Sequence, residues 1–335
     1  MENMTMSKTE TISGPISDLT LEEAHFSAKV TGKERAADDV ILLTLQHVDG
    51  EDLPPWRPGA HIDLVLANGL TRQYSLCGDP EDLSRYVVGV LNAPNSRGGS
   101  AYIHESLSTG DTVTVRGPRN HFRLLDAPSY LFLAGGIGIT PIAAMIREVH
   151  GLGKPWTLVY GGRTLSSMAF RDEFAAHGPR TTLWPQDTKG IIDLATVLGS
   201  PDARTAVYTC GPEPLLAAVE AICSEQWPAG TLHLERFTAK KVDTARDVGF
   251  EIELATSGLR LTVPADKSVL HVLEESGTRV LSSCGEGTCG TCETPVIDGT
   301  IDHRDSVLTP EEKNENSCMM VCVSRATCAL LVLDL

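Results

Sequence analysis

Four cysteines near the C-terminal end have a spacing that can do chemistry. Three lie in Cys284-Gly-Glu-Gly-Thr-Cys289-Gly-Thr-Cys292, and the fourth is Cys322 in Met-Val-Cys-Val-Ser. The pattern is C-x4-C-x2-C, then 29 residues, then C. That is the ligand spacing of a plant-type [2Fe–2S] cluster. Two irons bridged by two sulfides need four thiolates converging from one side. Gly285, Gly287 and Gly290 would let the loop curl and turn its amides toward the sulfurs. A zinc site is the competing reading, but zinc knuckles use paired C-x2-C hooks and only one such pair occurs here.

Three glycine-bearing turns come earlier. Gly135-Gly136-Ile-Gly138-Ile-Thr140-Pro141 follows the apolar run Tyr130-Leu-Phe-Leu-Ala and precedes a helical pattern through Val149. It is not G-x-G-x-x-G. It is still a glycine turn between a strand and a helix N-terminus, with Pro at the helix start, and it suits a pyrophosphate. A plain tight turn is the alternative. Cys210-Gly211-Pro212 separates another strand from the helix Leu215 to Cys223. Ser96-Arg97-Gly98-Gly99-Ser100 opens a third helical stretch, where amides, hydroxyls and an Arg could hold an anion, or where an ordinary loop is capped by Ser. In Arg72-Gln-Tyr74-Ser75 an Arg could pair with a phosphate, a Tyr lie along a ring and a Ser reach a ring nitrogen; an edge strand could carry the same residues.

These residues need elements to position them. From His25 to about Leu125 short strands such as Val40-Ile-Leu-Leu-Thr-Leu and Tyr86-Val-Val-Gly-Val-Leu are separated by turns such as Asn68-Gly69, which predicts a small antiparallel β-barrel. From Asp126 strands alternate with helices, which predicts a parallel sheet with ligands at its carboxyl strand ends. Phe237 to Val248 lacks an apolar run and reads as a linker carrying Lys240, Lys241 and Arg246. Strands at Phe250 and Leu259 and a helix from Val269 then suggest an α+β, β-grasp-like unit. The expected organisation is multidomain: a flexible leader 1–22, a barrel 23–125, an α/β domain 126–236, a linker 237–248 and a cluster domain 249–335.

Composition narrows the function. A net charge of −16 argues against nucleic acid and anionic membranes as partners. Residues 248–335 hold 14 Asp/Glu against 6 Lys/Arg, either a solvated acidic face or a docking surface for a basic partner. Nine cysteines, with a polar rather than apolar N-terminus, argue for a reducing, cytoplasmic setting rather than a disulfide scaffold. No apolar run approaches the ~18 residues of a membrane span.

The motifs together resemble the phthalate dioxygenase reductase type of oxygenase reductase. The matching stretches are Arg72-Gln-Tyr-Ser-Leu-Cys77, Gly98-Gly-Ser100, Gly135 to Pro141, Cys210-Gly-Pro212, Cys284 to Cys292 and Val321-Cys322-Val-Ser-Arg325. The earlier stretches are also similar to the reductase halves of self-sufficient haem-thiolate monooxygenases. The resemblance implies a flavin barrel, a nicotinamide domain and a plant-type ferredoxin domain, with FMN as the flavin. It implies that Arg72, Tyr74, Ser75, Arg97, Gly98, Gly99 and Ser100 hold FMN, with Thr140 and Phe237 against its ring. It places Gly135, Gly136, Gly138, Pro141, Cys210, Gly211 and Pro212 around NAD(P)H, and Cys284, Cys289, Cys292 and Cys322 on the cluster. Cys77, Cys223, Cys318 and Cys328 are left as packing residues.

The implied activity is electron transfer. Hydride from NAD(P)H reaches FMN, and single electrons pass through [2Fe–2S] to a terminal oxygenase, Rieske non-haem iron or haem-thiolate, docking near the ferredoxin domain. A cluster-based redox sensor needs no hydride port, and a diaphorase needs no cluster. For nucleotide choice, the family pattern has an Asp after the Arg, whereas this chain reads Arg163-Thr164-Leu-Ser166-Ser167 with no acid before Asp172. One cation and three hydroxyls suit a 2′-phosphate, so NADPH competence is expected; the alternative is that Arg163 merely packs on adenine and NADH is used.

Overall fold

The computed structural model describes residues 11–16, 23–93, 96–239, 242 and 244–335. Two compact units form. One comprises the chain through Leu70 with Tyr74–Glu235, the other Thr71–Gln73 with Arg236–Leu335.

In the first unit, β1 (Ala24–Ala37), β2 (Val40–His47), β3 (His61–Val65), β5 (Tyr86–Leu91) and β6 (Thr112–Arg119), with the Tyr74–Ser75 end of β4 (Thr71–Ser75), make one six-stranded sheet, with helix α1 (Gly99–Glu105) between β5 and β6. The order is β4-β3-β6-β1-β2-β5. Alternation sets the buried face: Tyr86, Val88 and Val90 of β5 join Leu43, Leu45, Ile62, Leu64 and Trp56 in one core. The expected barrel is thus an antiparallel sheet rather than a closed ladder. A single bridge, Leu76 to Val88, links the chain beyond β4 to β5.

A second sheet of the same unit contains β7 (Ser129–Gly135), β8 (Trp156–Gly162), β9 (Thr181–Pro185), β10 (Thr205–Cys210) and β11 (Leu232–Glu235). Helix α2 (Ile139–Gly151) follows β7 and α3 (Arg171–Ala175) follows β8. The short α4 (Gln186–Lys189) and α5 (Leu194–Leu198) precede β10, and α6 (Glu213–Gln226) follows it. The order β11-β10-β7-β8-β9 is parallel throughout. Burial on both faces explains the near-continuous apolar run of β7. The chain moves outward from β7 through β8 and β9, then returns to β10 on the other side. The topological switch point therefore lies between β7 and β10, where a ligand crevice opens at the strand ends.

Residues 11–16 depart from the loose leader expected there. Ile12 and Ile16 pack on the apolar core that carries Leu124 and Tyr130, while the Ser13 and Ile16 amides donate to the Asp126 and Leu124 carbonyls at 2.9 and 3.1 Å. The rest of that stretch, 1–10 and 17–22, lies outside the described residues, as do Lys240 and Lys241 of the expected linker.

The second unit is built on β12 (Phe250–Leu254), β13 (Leu259–Val263), β14 (Glu293–Asp298), β16 (Cys318–Met320) and β18 (Leu330–Leu333), with a minor pair β15 (Ile301–Asp302) and β17 (Arg325–Ala326). The main sheet runs β13-β12-β18-β14-β16. Helix α7 (Val269–Glu275) buries Val269, Leu270, Val272 and Leu273, capped by Ser268, whose hydroxyl accepts from the His271 amide. Helix α8 (Pro310–Glu315) starts with a reciprocal Thr309–Glu312 capping box. The long loop between α7 and β14 carries the three clustered cysteines.

Candidate functional site: a thiol centre and a nucleotide crevice

The four predicted ligands come together in the second unit. Cys284 lies in hydrogen-bonding reach of both Cys289 and Cys322, and Cys322 of Cys292. Cys289, Cys292 and Cys322 are buried, whereas Cys284 is partly exposed. Hydrogen bonds from the Cys289 and Cys322 thiols, and after them from the Thr288 and Glu286 amides at 3.5 and 3.3 Å, hold Cys284 far below its ordinary range. Amide donors on a thiolate are what a cluster ligand requires.

The loop takes its shape from glycine. Gly285, Gly287 and Gly290 have φ of 67°, 66° and 73°. At Gly287 a Cβ would also lie 2.5 Å from Val323 Cγ2 and 3.1 Å from Asp305 Cα. The Gly287 carbonyl accepts from the Ser306 amide at 2.9 Å, and buried Asp305 is fixed by the Val307 and Leu308 amides at 3.0 and 2.8 Å. Cys322 is tied to the loop through the neighbouring Val321 amide, which donates to the Cys292 carbonyl at 3.3 Å. Four thiols, curled glycines and inward amides fit a [2Fe–2S] group.

At the switch point of the parallel sheet two turns meet. A Cβ on Gly138 would lie 2.3 Å from the Cys210 carbonyl oxygen, and one on Gly135 would lie 2.5 Å from Pro212 Cδ. Gly211 faces Gly135 just as closely, with Gly135 Cα 3.0 Å from the added Cβ. Those three glycines are required for one turn to lie on the other. Gly136 is different: its φ is 55° and no atom within 4 Å would meet a Cβ, so it presents open backbone. The Tyr160 hydroxyl donates to the Gly136 carbonyl at 3.2 Å and fixes that turn. Helix α2 begins at Ile139, two residues before Pro141.

Cys210 is fully buried at the end of β10, and burial first, then Glu235, pushes its thiol well above the ordinary range. The Cys210 sulfur is 4.0 Å from Glu235 Oε2. Desolvation in turn raises the Glu235 carboxyl to about 8. Glu235 was not singled out in the sequence. Its signal was an acid at the last position of the last parallel strand.

Thr140, expected at the flavin ring, is buried at the start of α2, and its hydroxyl donates to the Ile137 carbonyl at 2.9 Å. Opposite lies Gly89 of β5, where a Cβ would be 2.6 Å from Thr140 Cγ2. Gly89 is a second residue missed. A lone Gly inside an apolar strand marks such a close approach. On the antiparallel sheet Ser75 is buried and Tyr74 lies against the core. Gly98 has φ of 89°, its amide donates to the Ser96 hydroxyl at 3.1 Å, and Ser100 Oγ is 2.9 Å from Ser96 Oγ. Arg97 is exposed and Gly99 buried. Arg72 and Phe237 belong to the second unit, where Phe237 is 40% exposed, too open for a core residue. Arg163, Thr164 and Ser166 follow the end of β8, Arg163 and Ser166 exposed. Of the remaining cysteines, Cys77 and Cys223 are buried, which pushes their thiols to about 12 and about 11, while Cys318 and Cys328 are partly buried.

Comparison with known proteins identifies two domain families in the chain. Residues 252–327 match the 2Fe-2S iron-sulfur cluster binding domain family, and residues 132–221 match the oxidoreductase NAD-binding domain family. The chain is 43% identical to a phenoxybenzoate dioxygenase subunit beta of Ectopseudomonas oleovorans, over 93% of this chain and 98% of that one. Among solved structures, an intact type IV self-sufficient cytochrome P450 monooxygenase superposes with a TM-score of 0.87 at 44% identity. The match covers 93% of this chain but only 41% of that longer one. A phthalate dioxygenase reductase, described as a modular structure for electron transfer from pyridine nucleotides to [2Fe-2S], superposes with a TM-score of 0.68 at 38% identity, over 93% of this chain and 98% of that chain. No helix among the described residues is long and apolar enough to cross a membrane. With full-length identity at this level and every matched module in the same order, the chain belongs to the phthalate dioxygenase reductase family.

Proposed function

We propose that this protein is the NAD(P)H-dependent reductase component of an oxygenase system, transferring electrons through FMN and a [2Fe–2S] cluster to a separate terminal oxygenase. The observation that carries this is the presence on one chain of a four-thiol centre and a nucleotide crevice at a sheet switch point. When bound, FMN and the cluster supply the chemistry that turns one two-electron donation into two single-electron ones.

The chain's own residues position those groups. Tyr74, Ser75, Arg97, Gly98, Gly99 and Ser100, with Thr140, hold FMN. Gly136 offers open backbone to the pyrophosphate, and Gly135, Gly138, Pro141, Gly211 and Pro212 keep its turn in place. Cys210 and Glu235 line the nicotinamide end as neutral groups, since burial opposes charge on both. Cys284, Cys289, Cys292 and Cys322 ligate the cluster. The working divisions are 23–125 for flavin, 126–236 for nucleotide and 249–335 for the cluster. The partner is a Rieske or haem-thiolate oxygenase that docks near the cluster, where partly exposed Cys284 follows Leu281, itself 69% exposed. A cytoplasmic setting fits nine free cysteines.

Cys322→Ser tests the assignment. The variant should lose the visible iron–sulfur absorption and the reduction of a one-electron protein acceptor, yet still oxidise NAD(P)H with a small artificial acceptor. A normal cluster in that variant would remove the fourth ligand. Acid-released flavin should co-migrate with FMN on a column, and recovery of FAD would overturn the flavin assignment.

A further inference from the structure

The 2′-position of a nicotinamide nucleotide is read at the end of the second strand of such a sheet, here β8. The sequence there supplies three hydroxyls and no acid, which suits a phosphate. The fold commits two of those hydroxyls elsewhere. Thr164 Oγ1 accepts from the Ser167 amide at 3.3 Å, and Ser167 Oγ accepts from the Thr164 amide at 3.2 Å while donating to the Thr164 carbonyl at 2.8 Å. Ser166 Oγ lies 3.1 Å from Thr164 Oγ1.

An acid then arrives from the other sheet of the same compact unit. The two-residue turn between β1 and β2 is Asp38-Asp39, with Asp39 at φ 58°. The Asp38 amide donates to the Ser166 carbonyl at 2.9 Å, and the Asp38 carboxylate is hydrogen-bonded to the Ser166 side chain. Arg35 holds its other side, with Nη2 2.5 Å from Asp38 Oδ1. Bonds from Ser166 and Arg35 keep the carboxyl below its usual range, so it is charged at any working pH. The nearby Arg171 is occupied, donating to the Leu165 carbonyl at 3.0 Å and pairing with Asp172 at 3.3 Å.

We propose that Asp38 takes the role of the acid missing from the β8 loop: it accepts from a ribose 2′-hydroxyl, repels a 2′-phosphate and makes the enzyme NADH-selective. The inference rests on the reductase reading above and deepens it. It also reverses the NADPH competence expected from the loop alone, because the decisive charge is contributed by a turn more than a hundred residues upstream.

The test uses the full-length holoenzyme with a small acceptor, measuring kcat/KM for NADH and NADPH. Calorimetric binding of 2′,5′-ADP and 5′-ADP gives a readout independent of turnover. The parent should favour NADH at least about tenfold, as a like charge beside the phosphate implies. Asp38→Asn keeps a partner for Ser166 but removes the charge. It should cut that preference by about tenfold and tighten 2′,5′-ADP, with Asp38→Ser moving both in the same direction. A parent that prefers NADPH would overturn the proposal. So would a ratio and an ADP-analogue affinity unchanged in both variants, which would leave Asp38 only a clasp between Arg35 and Ser166. Oxidation of neither nucleotide by the parent would instead fell the reductase reading itself, and this inference with it.

Discussion

Single residues were legible where their partners lie in a fixed pattern along the chain. The cluster thiols are of this kind, because a metal cluster imposes its own spacing on the sequence. Glu235 is the opposite case. Its significance comes from Cys210 across a parallel strand pair and from burial, and neither leaves a local mark. The carboxyl is held protonated to about pH 8, against an ordinary value of 4.5. Because the folded value is raised, its contribution to stability is fully present below about pH 4.5 and is lost as pH rises through about 8. Above that point a charge also appears beside Cys210, in the proposed nucleotide crevice. Stopped-flow reduction by nucleotide should therefore change with an inflection near pH 8, and Glu235→Gln should flatten it and lessen the loss of thermal stability that accrues between about pH 4.5 and about 8. An inflection that survives in the variant would assign the titration to another group.

At the scale of elements, the strand–helix alternation after Asp126 specified the parallel sheet, and its switch point located the crevice. The glycines in it were harder to interpret. A sequence cannot distinguish a Gly that lets a phosphate approach from one that lets another backbone approach. Here Gly135 and Gly138 do the second and Gly136 is free for the first. Two substitutions separate the roles. Gly138 has an ordinary helical φ of −61°, so Gly138→Ala acts through contact alone, driving a methyl into the Cys210 carbonyl. It should cost about 3 kcal/mol and raise KM by parting the two turns. Gly136→Ala meets no atom but must hold a left-handed backbone, a cost of roughly 1–2 kcal/mol. Thermal melts that ranked the two equally, or in reverse, would contradict this division.

At the scale of the whole molecule, the chain condenses into two units where the sequence suggested three domains. The flavin and nucleotide sheets share one apolar core, in which Val40, Phe122 and Leu124 join Tyr130, Phe132 and Ile142. Composition alone cannot show that two patterns of different period pack together. The expected linker also ends earlier than its polarity implied. Asp247, within that stretch, accepts two bonds from Arg304 at 2.8 and 2.6 Å and lies 3.7 Å from Arg325. Arg325 in turn donates to the Lys267, Val248 and Pro264 carbonyls. All three charged side chains are largely enclosed, with exposures of 7%, 12% and 6%. Asp247→Ala would take away the carboxylate that Arg304 and Arg325 share, leaving Asp302, 2.7 Å from Arg304, as the remaining anion of the group, and should destabilise the second unit by about 3 kcal/mol. Arg304 holds the Asp247 carboxyl below its ordinary 3.8, so its contribution is present above that value and fades as pH falls through the lowered one. The cluster's visible absorption reports on this unit. In Asp247→Ala it should bleach at a lower temperature at pH 7, while Asp247→Asn, which keeps acceptor and shape, should fall between the parent and Ala. Equal bleaching temperatures in all three would show that the second unit does not depend on this buried charge.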